Sequence, residues 1–310
     1  MQSFRIKPFS AIVLFTACIS LFVFTSSNGK AEAAADFYKG KTIHWIVSSS
    51  PGSTTTLLSR IAAQYLGEKL GVNFEMIPIH TNEYMREVDT LHFTHTNSLI
   101  YIMMHRFNGV DILAAEKRGS WGYGSQGIIL TLKDSGIKTM EDLRGKTMIF
   151  GPMLAPTGFM SQVDMLEQNG IDPEEDLAFY TIPPGSFKHE KVIYGVMFEK
   201  YDAGAIPIFD LELMAEDGKI DIDDFDIIAK APAIPYCNFG VSQKVDEKFA
   251  ERFKKVLTSL TMADTVEYNG ERVSVLARTL TDGYESVEDS DFDIVREMAK
   301  RTNMPPYQEY

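Results

Sequence analysis

The stretch Asn238-Phe-Gly-Val-Ser242 decides how this chain reads, because the pattern of the sequence changes there. Before it, short apolar runs alternate with helical periods. Strands are expected at Ile43–Val47, Val72–Ile79, Asp89–Thr94, Asp111–Ala115, Gly127–Leu132, Thr147–Phe150, Phe179–Ile182 and Ala203–Ile206. The first helix should start at the hydroxyls of Ser53 and Thr54, follow Leu57, Leu58, Ile61, Tyr65, Leu66 and Leu70, and stop at Gly71. Further helices are expected at 97–107, 139–143, 158–169, 187–200 and 209–216. After Ser242 the sequence reads as mainly helical, over 246–262, 271–280 and 289–302. Strand–helix alternation implies α/β architecture with largely parallel sheets. A chain that leaves one lobe, builds a second and returns to finish the first would give this order. The first lobe is then 36–126 plus 238–310, and the second is 127–237. Gly127–Leu132 and Asn238–Ser242 would form a two-strand hinge, with a ligand cleft between the lobes.

At the other end, Arg5 and Lys7 precede an apolar run from Ser10 to Phe24, followed by polar residues and the small-residue site Ala31-Glu-Ala33. This is the layout of a cleaved secretory signal over residues 1–33, and the apolar run is short for a membrane span. The chain is therefore expected to act in the periplasm. Cleavage would deepen the formal charge of −13 by two, since three cations and one anion leave. Such an acidic surface argues against nucleic acid and anionic membranes as partners. Only Cys237 would remain, so no internal disulfide is available, and the roughly 275 residues left suffice for two packed cores.

Several motif spellings fail on context. Gly122-Tyr-Gly-Ser-Gln-Gly127 leads into a strand, whereas a dinucleotide fingerprint must lead into a helix. Gly145-Lys-Thr147 has Met140 in the place of the leading glycine of a phosphate loop, and Asp221–Asp226 has Phe225 where a calcium loop needs oxygen. These read as turns. No G-x-S-x-G, H-E-x-x-H or C-x-x-C occurs, so no enzyme class gains a positive signal. His80, His92, His95 and His189 make no ligand pair at helical spacing, and neither a metal site nor a cofactor is expected.

Several stretches together resemble the periplasmic phosphonate/phosphite-binding proteins of ABC importers. They are Val88-Asp89, Phe93–Tyr101, the run from Lys133 to Thr147 (KDSGIKTMEDLRGKT), Asn169–Pro173, Lys188-His-Glu190, Tyr201–Ala205 and Ile234-Pro235. The N-terminal piece Phe37–Ile43 followed by Ser50-Pro-Gly52 is also similar to binding proteins of tripartite tricarboxylate transporters. Both resemblances imply the two-lobed type II periplasmic binding fold. They imply capture of a small anionic or zwitterionic ligand by a monomer, for delivery to an inner-membrane ABC permease. The alternative is a periplasmic sensor whose ligand-bound form docks on a histidine kinase.

The ligand pocket departs from that family. Its phosphonate binders carry Ser-Thr-Ser-Gly at a helix N-terminus, where this chain has Ala155-Pro-Thr-Gly158. Two hydroxyls are gone and Pro156 removes a backbone donor. What remains is Thr157 and Gly158, with His189 retained at the start of another helix. In the other lobe, Ser49 and Ser50 after the first strand, and His95, Thr96 and Asn97 after the third, should face the cleft, although turn chemistry and helix capping would also explain them. Tyr123 and Phe209, with Trp121, are candidates for aromatic walls. Tyr236 and Cys237 lie at the start of the return strand, close to the cleft by topology, the cysteine either as an inert buried thiol or as a soft contact to ligand.

Overall fold

The computed structural model describes residues 38, 40–48, 54–79, 90–185, 188–276 and 281–309. The signal segment, Ser49, Ser50, His80, Asp89 and residues 277–280 lie outside the described residues. The strands are β1 (Thr42–Ser48), β2 (Asn73–Ile79), β3 (Phe93–Thr96), β4 (Asp111–Lys117), β5 (Gly124–Ser125), β6 (Gly127–Leu132), β7 (Thr147–Ile149), β8 (Phe179–Thr181), β9 (Ala203–Pro207), β10 (Phe225–Lys230), β11 (Ile234–Pro235), β12 (Asn238–Val241), β13 (Thr265–Tyr268), β14 (Glu271–Ser274) and β15 (Gly283–Glu285). The α-helices are α1 (Thr54–Leu70), α2 (Ser98–Asn108), α3 (Ser161–Gln168), α4 (Lys188–Met197), α5 (Ile208–Glu216), α6 (Glu247–Thr258) and α7 (Asp293–Arg301).

Two sheets organise the molecule. One has the order β15-β4-β12-β3-β1-β2, the other β10-β6-β9-β7-β8. In the first, β1 runs parallel to β2 and β3, while β12 lies antiparallel between β3 and β4. In the second, β7 runs parallel to β8 and β9, and β6 is antiparallel to β9 and β10. Each antiparallel insertion is a strand that arrives from the other sheet, and so enters from the opposite end. The expected hinge strands are therefore built into separate sheets and do not pair with each other. The ladder that joins the crossings is the short antiparallel pair β5–β11, Gly124 opposite Pro235 and Ser125 opposite Ile234.

Both sheets are covered on both faces, which explains their continuous apolar strands. Along β6, Ile128 and Leu130 enter one core and Ile129 the other. The first sheet packs α1 and α6 against one face through an aromatic cluster, with Phe93 stacked on Phe253 at 4.2 Å between ring centroids and Trp45 edge-on to Phe239 at 5.1 Å. Its other face holds α2 and α7, and Met160 from the segment before α3 is buried in that same core. Arg301 on α7 also donates from Nε and Nη2 to Asp164 on α3, at 2.7 and 2.9 Å. The last helix of the chain thus touches elements of both sheets.

Four expectations from the sequence need correction. The helix at 158–169 is split: residues Pro156–Met160 form a π turn in which the Ala155 carbonyl accepts from both Phe159 and Met160, and α3 follows. The helix at 139–143 is a 3-10 turn over Glu141–Leu143. The run Asp221–Asp226 is a turn only to Asp224, after which Phe225 begins β10. The tail is not mainly helical, because 265–274 is a β-hairpin where a helix was expected from Glu271, and β15 follows.

The hairpin turn explains that last difference. Asn269 and Gly270 both take positive φ, 53° and 81°, and a two-residue turn of that hand matches the twist of paired strands. Gly270→Ala is expected to lower the free energy of unfolding by about 1–2 kcal/mol, read from equilibrium urea denaturation. Asn269→Gly should leave it within about 0.5 kcal/mol. Equal effects at the two positions would contradict the turn assignment.

Candidate functional site

A cavity of about 180 Å³ lies between the ends of the two sheets, lined by His95, Thr96, Asn97, Pro152, Ala155, Pro156, Thr157, His189, Tyr236 and Cys237. The lining comes from three places. His95, Thr96 and Asn97 occupy the end of β3 and the cap of α2. Residues 152–157 and His189 belong to the loop after β7 and to the first turn of α4. Tyr236 and Cys237 sit in the link between β11 and β12.

The polar atoms of the site divide into those already bonded and those left open. His95 is fully engaged: Nε2 is 2.8 Å from Glu116 Oε1, Nδ1 is 3.3 Å from Ser59 Oγ, and its ring stacks on Phe239 at 4.4 Å. Asn97 is engaged as well. Its Oδ1 accepts from the Ile100 N–H and caps α2, while Nδ2 donates 3.0 Å to the Leu154 carbonyl, joining the two sides of the cavity. By contrast Thr96 Oγ1, Thr157 Oγ1, His189 Nδ1 and Asp210 Oδ2 are buried with no hydrogen-bond partner among the described residues. Buried polar groups are rarely left so, and three of these residues, Thr96, Thr157 and His189, line the one cavity, which makes it a candidate site for a polar ligand.

His189 is held by two glycines. A Cβ on Gly151 would lie 2.8 Å from the imidazole Cε1, and one on Gly158 would be 3.2 Å from Nδ1. Burial pushes the imidazole pKa below its ordinary value; Asp210 opposes this and Lys188 adds to it. Burial likewise pushes the Asp210 carboxyl up. A neutral imidazole and the hydroxyls of Thr96 and Thr157 can offer hydrogen bonds to a small ligand, without a fixed positive charge in the lining.

Behind Tyr236 and Cys237 lies the strongest charge pair of the region. Arg118 donates to Glu116 at 2.6 Å, and its guanidinium lies 4.4 Å from the Phe209 ring centroid and 4.7 Å from that of Tyr236. Burial alone would raise the Glu116 carboxyl, but the Arg118 charge and the His95 hydrogen bond hold it well below the carboxylate range. Burial, with Glu116 next, pushes the Cys237 thiol well up, so it is protonated and inert as a nucleophile.

Of the residues singled out in the sequence, the structure brings His95, Thr96, Asn97, Thr157, His189 and Cys237 to one cavity. It does not bring Tyr123, whose carbonyl serves the hinge ladder by accepting from Tyr236 N–H and whose ring packs on the α2–α7 core. Phe209 stacks on Arg118, away from the lining, and Trp121 donates to Glu212 at 3.4 Å. Gly158 makes room for His189, and its N–H is spent on the Ala155 carbonyl. Tyr236 reaches the same cavity, as its place before the return strand suggested, whereas Glu116 and Arg118 went unforeseen. Glu116 could have been flagged as a charge that directly follows the buried pair Ala114-Ala115 within a strand.

Gly158→Ala is expected to displace the His189 ring and weaken ligand binding by at least tenfold while leaving unfolding nearly unchanged. Unaltered affinity in titration calorimetry would remove His189 from the site.

A family model for ABC transporter, phosphonate, periplasmic substrate-binding protein matches residues 43–292. The phosphonate-binding protein PhnD1 of Prochlorococcus marinus, solved with methylphosphonate, superposes with TM-score 0.70 at 14% identity, covering 85% of this chain and 98% of that one. The binding-protein component of an ABC phosphonate transporter from Pseudomonas aeruginosa also gives 0.70, at 13% identity and covering 86% and 87%. The tetrathionate sensor histidine kinase TtrS of Salmonella typhimurium is 25% identical over 213 residues, which is 63% of this chain. The aligned region spans only 35% of that kinase. The fold is thus the two-lobed α/β fold of periplasmic binding proteins, and this chain belongs to the family of periplasmic substrate-binding proteins of phosphonate ABC transporters.

Proposed function

We propose that the protein captures a small anionic or zwitterionic solute in the periplasm by closing its lobes, and passes it to an ABC permease. The observation that carries this reading is the cavity lined from both sheets, with Thr96, Thr157 and His189 holding buried polar atoms that have no partner among the described residues. Lobe boundaries at the crossings, 36–126 plus 238–310 against 127–237, fit the division of strands between the sheets. Closure about β5–β11 would then bring Asn97 to Leu154 and remove the ligand from water.

The ligand is not expected to be a simple phosphonate. Relative to the resembling binders, Ala155-Pro-Thr-Gly158 lacks two hydroxyls and a backbone donor. Each bond to a charged group is worth about 1.5–3 kcal/mol, so the two lost hydroxyls alone amount to about two to four powers of ten in affinity. A second reading is favoured by the 25% identity to a sensor kinase: the closed form would dock on a kinase and signal the ligand's presence.

A calorimetric panel of phosphite, methylphosphonate, alkylsulfonates, carboxylates, amines and tetrathionate on refolded, ligand-free protein tests the capture reading. We expect one class to bind with a single site, and phosphite and methylphosphonate to bind weakly; submicromolar affinity for either contradicts the altered pocket. Burial keeps His189 neutral, with Asp210 and Lys188 the charged groups acting on it. An anion placed against it should raise its pKa, so affinity should tighten as pH falls through the ligand-bound pKa and level off below the lowered pKa of the free protein. That slope should vanish in His189→Ala. A chain that binds none of the panel and no periplasmic extract component fails the reading.

A further inference from the structure

Three chemically distinct side chains meet at the back of the cavity from separate parts of the sequence. β12 lies between β3 and β4, with Asn238 opposite both Thr96 and Ala115. The neighbouring residues His95, Glu116 and Cys237 therefore converge. Their ligand-capable atoms, an imidazole nitrogen, a carboxylate oxygen and the thiol sulfur, all lie within 4.8 Å of one another. His95 and Glu116 are buried, whereas His95 and Cys237 reach the cavity surface.

We propose that His95, Glu116 and Cys237 form a binding site for a thiophilic divalent cation, with zinc the best fit, whose fourth coordination position opens into the cavity. One nitrogen, one oxygen and one sulfur donor in a compact triangle is a set that suits zinc and excludes magnesium and calcium, which need oxygen cages. The groups behind the ligands are those a metal site requires. If His95 coordinates through Nε2, its proton resides on Nδ1, 3.3 Å from the hydroxyl of Ser59. Glu116 presents Oε1 toward His95, while Oε2 is held by Arg118 at 2.6 Å. Phe239 stacks on the imidazole and fixes its plane. Binding replaces the His95–Glu116 hydrogen bond by two metal bonds and releases the Cys237 thiol proton to solvent.

The charges are consistent with this. Thiolate and carboxylate offset the dication, and the Arg118 guanidinium leaves the assembly with one net positive charge. No lysine or arginine lines the cavity among the described residues. A cation at its back would therefore supply the countercharge that an anionic ligand otherwise lacks. The site is defined by the three ligands alone and stands without the capture reading.

The test uses the untagged chain, stripped of metal with a chelator, and cobalt(II) as a visible probe. We expect one equivalent to bind, with a thiolate-to-cobalt charge-transfer band and the intense visible bands of tetrahedral coordination, and zinc to displace it. Cys237→Ser should abolish the charge-transfer band and weaken zinc binding by at least about tenfold, with unchanged circular dichroism. His95→Gln should weaken zinc binding as well. Absence of any band in the parent chain, or its survival in Cys237→Ser, overturns the proposal. Because no anion enters the measurement, its failure is distinguishable from a failure of the capture reading.

Discussion

The arrangement of the site depends on one buried ion pair, Arg118 with Glu116. The two side chains are 16% and 8% exposed, so each charge has left most of its water behind and is tolerable only because the other is there. The pair also does geometric work. Glu116 lies on the last turn of pleat in β4 and fixes the His95 imidazole of β3 through Oε1. Arg118 spreads its guanidinium over Tyr236 in the link between the sheets and over Phe209 on α5, a helix of the second sheet. One salt bridge therefore touches the first sheet, the hinge and the second sheet. The Nε and Nη1 atoms of Arg118 have no hydrogen-bond partner among the described residues, which makes the pairing with Glu116 all the more necessary.

From that pair the cavity follows. With His95 and Tyr236 positioned, the wall formed by Cys237 and Thr96 is set by the register of β12 between β3 and β4. The facing wall comes from the π turn at Pro156–Met160, where Pro156 has no N–H to give and Gly158 and Gly151 leave space for His189. Asn97, α7 and Met160 tie the walls together, through the Leu154 carbonyl, the Asp164 carboxylate and the α2–α7 core respectively. Opening the cleft would break polar contacts as well as expose apolar surface. Ligand bound between the walls shifts such an equilibrium by its differential affinity for the closed arrangement.

Much of this was legible in the sequence, because strands that are buried on both faces, such as β6 and β9, announce themselves as unbroken apolar runs. The return at Asn238 was legible for the same reason. What was not legible had short-range or long-range causes. The hairpin at Asn269-Gly270 was hidden by charged residues at helix-compatible spacing, although the Asn-Gly pair itself is a turn signal. The hinge ladder is two residues long on each side, below what periodicity can register. At the site, His95, Thr96 and Asn97 were visible as a polar break before an apolar helix. Arg118 and Glu116 were not, since their partnership is created by the strand register and by aromatic rings drawn from residues 209 and 236.

The most direct test of this account is a double-mutant cycle on Glu116 and Arg118, read as the free energy of unfolding in urea. Glu116→Gln and Arg118→Met should each cost about 3–5 kcal/mol, since each strands a buried charge or its partner. The double variant should cost less than their sum by about 2 kcal/mol or more. Additivity within about 0.5 kcal/mol would mean that the pair does not hold the site together, and would contradict the account.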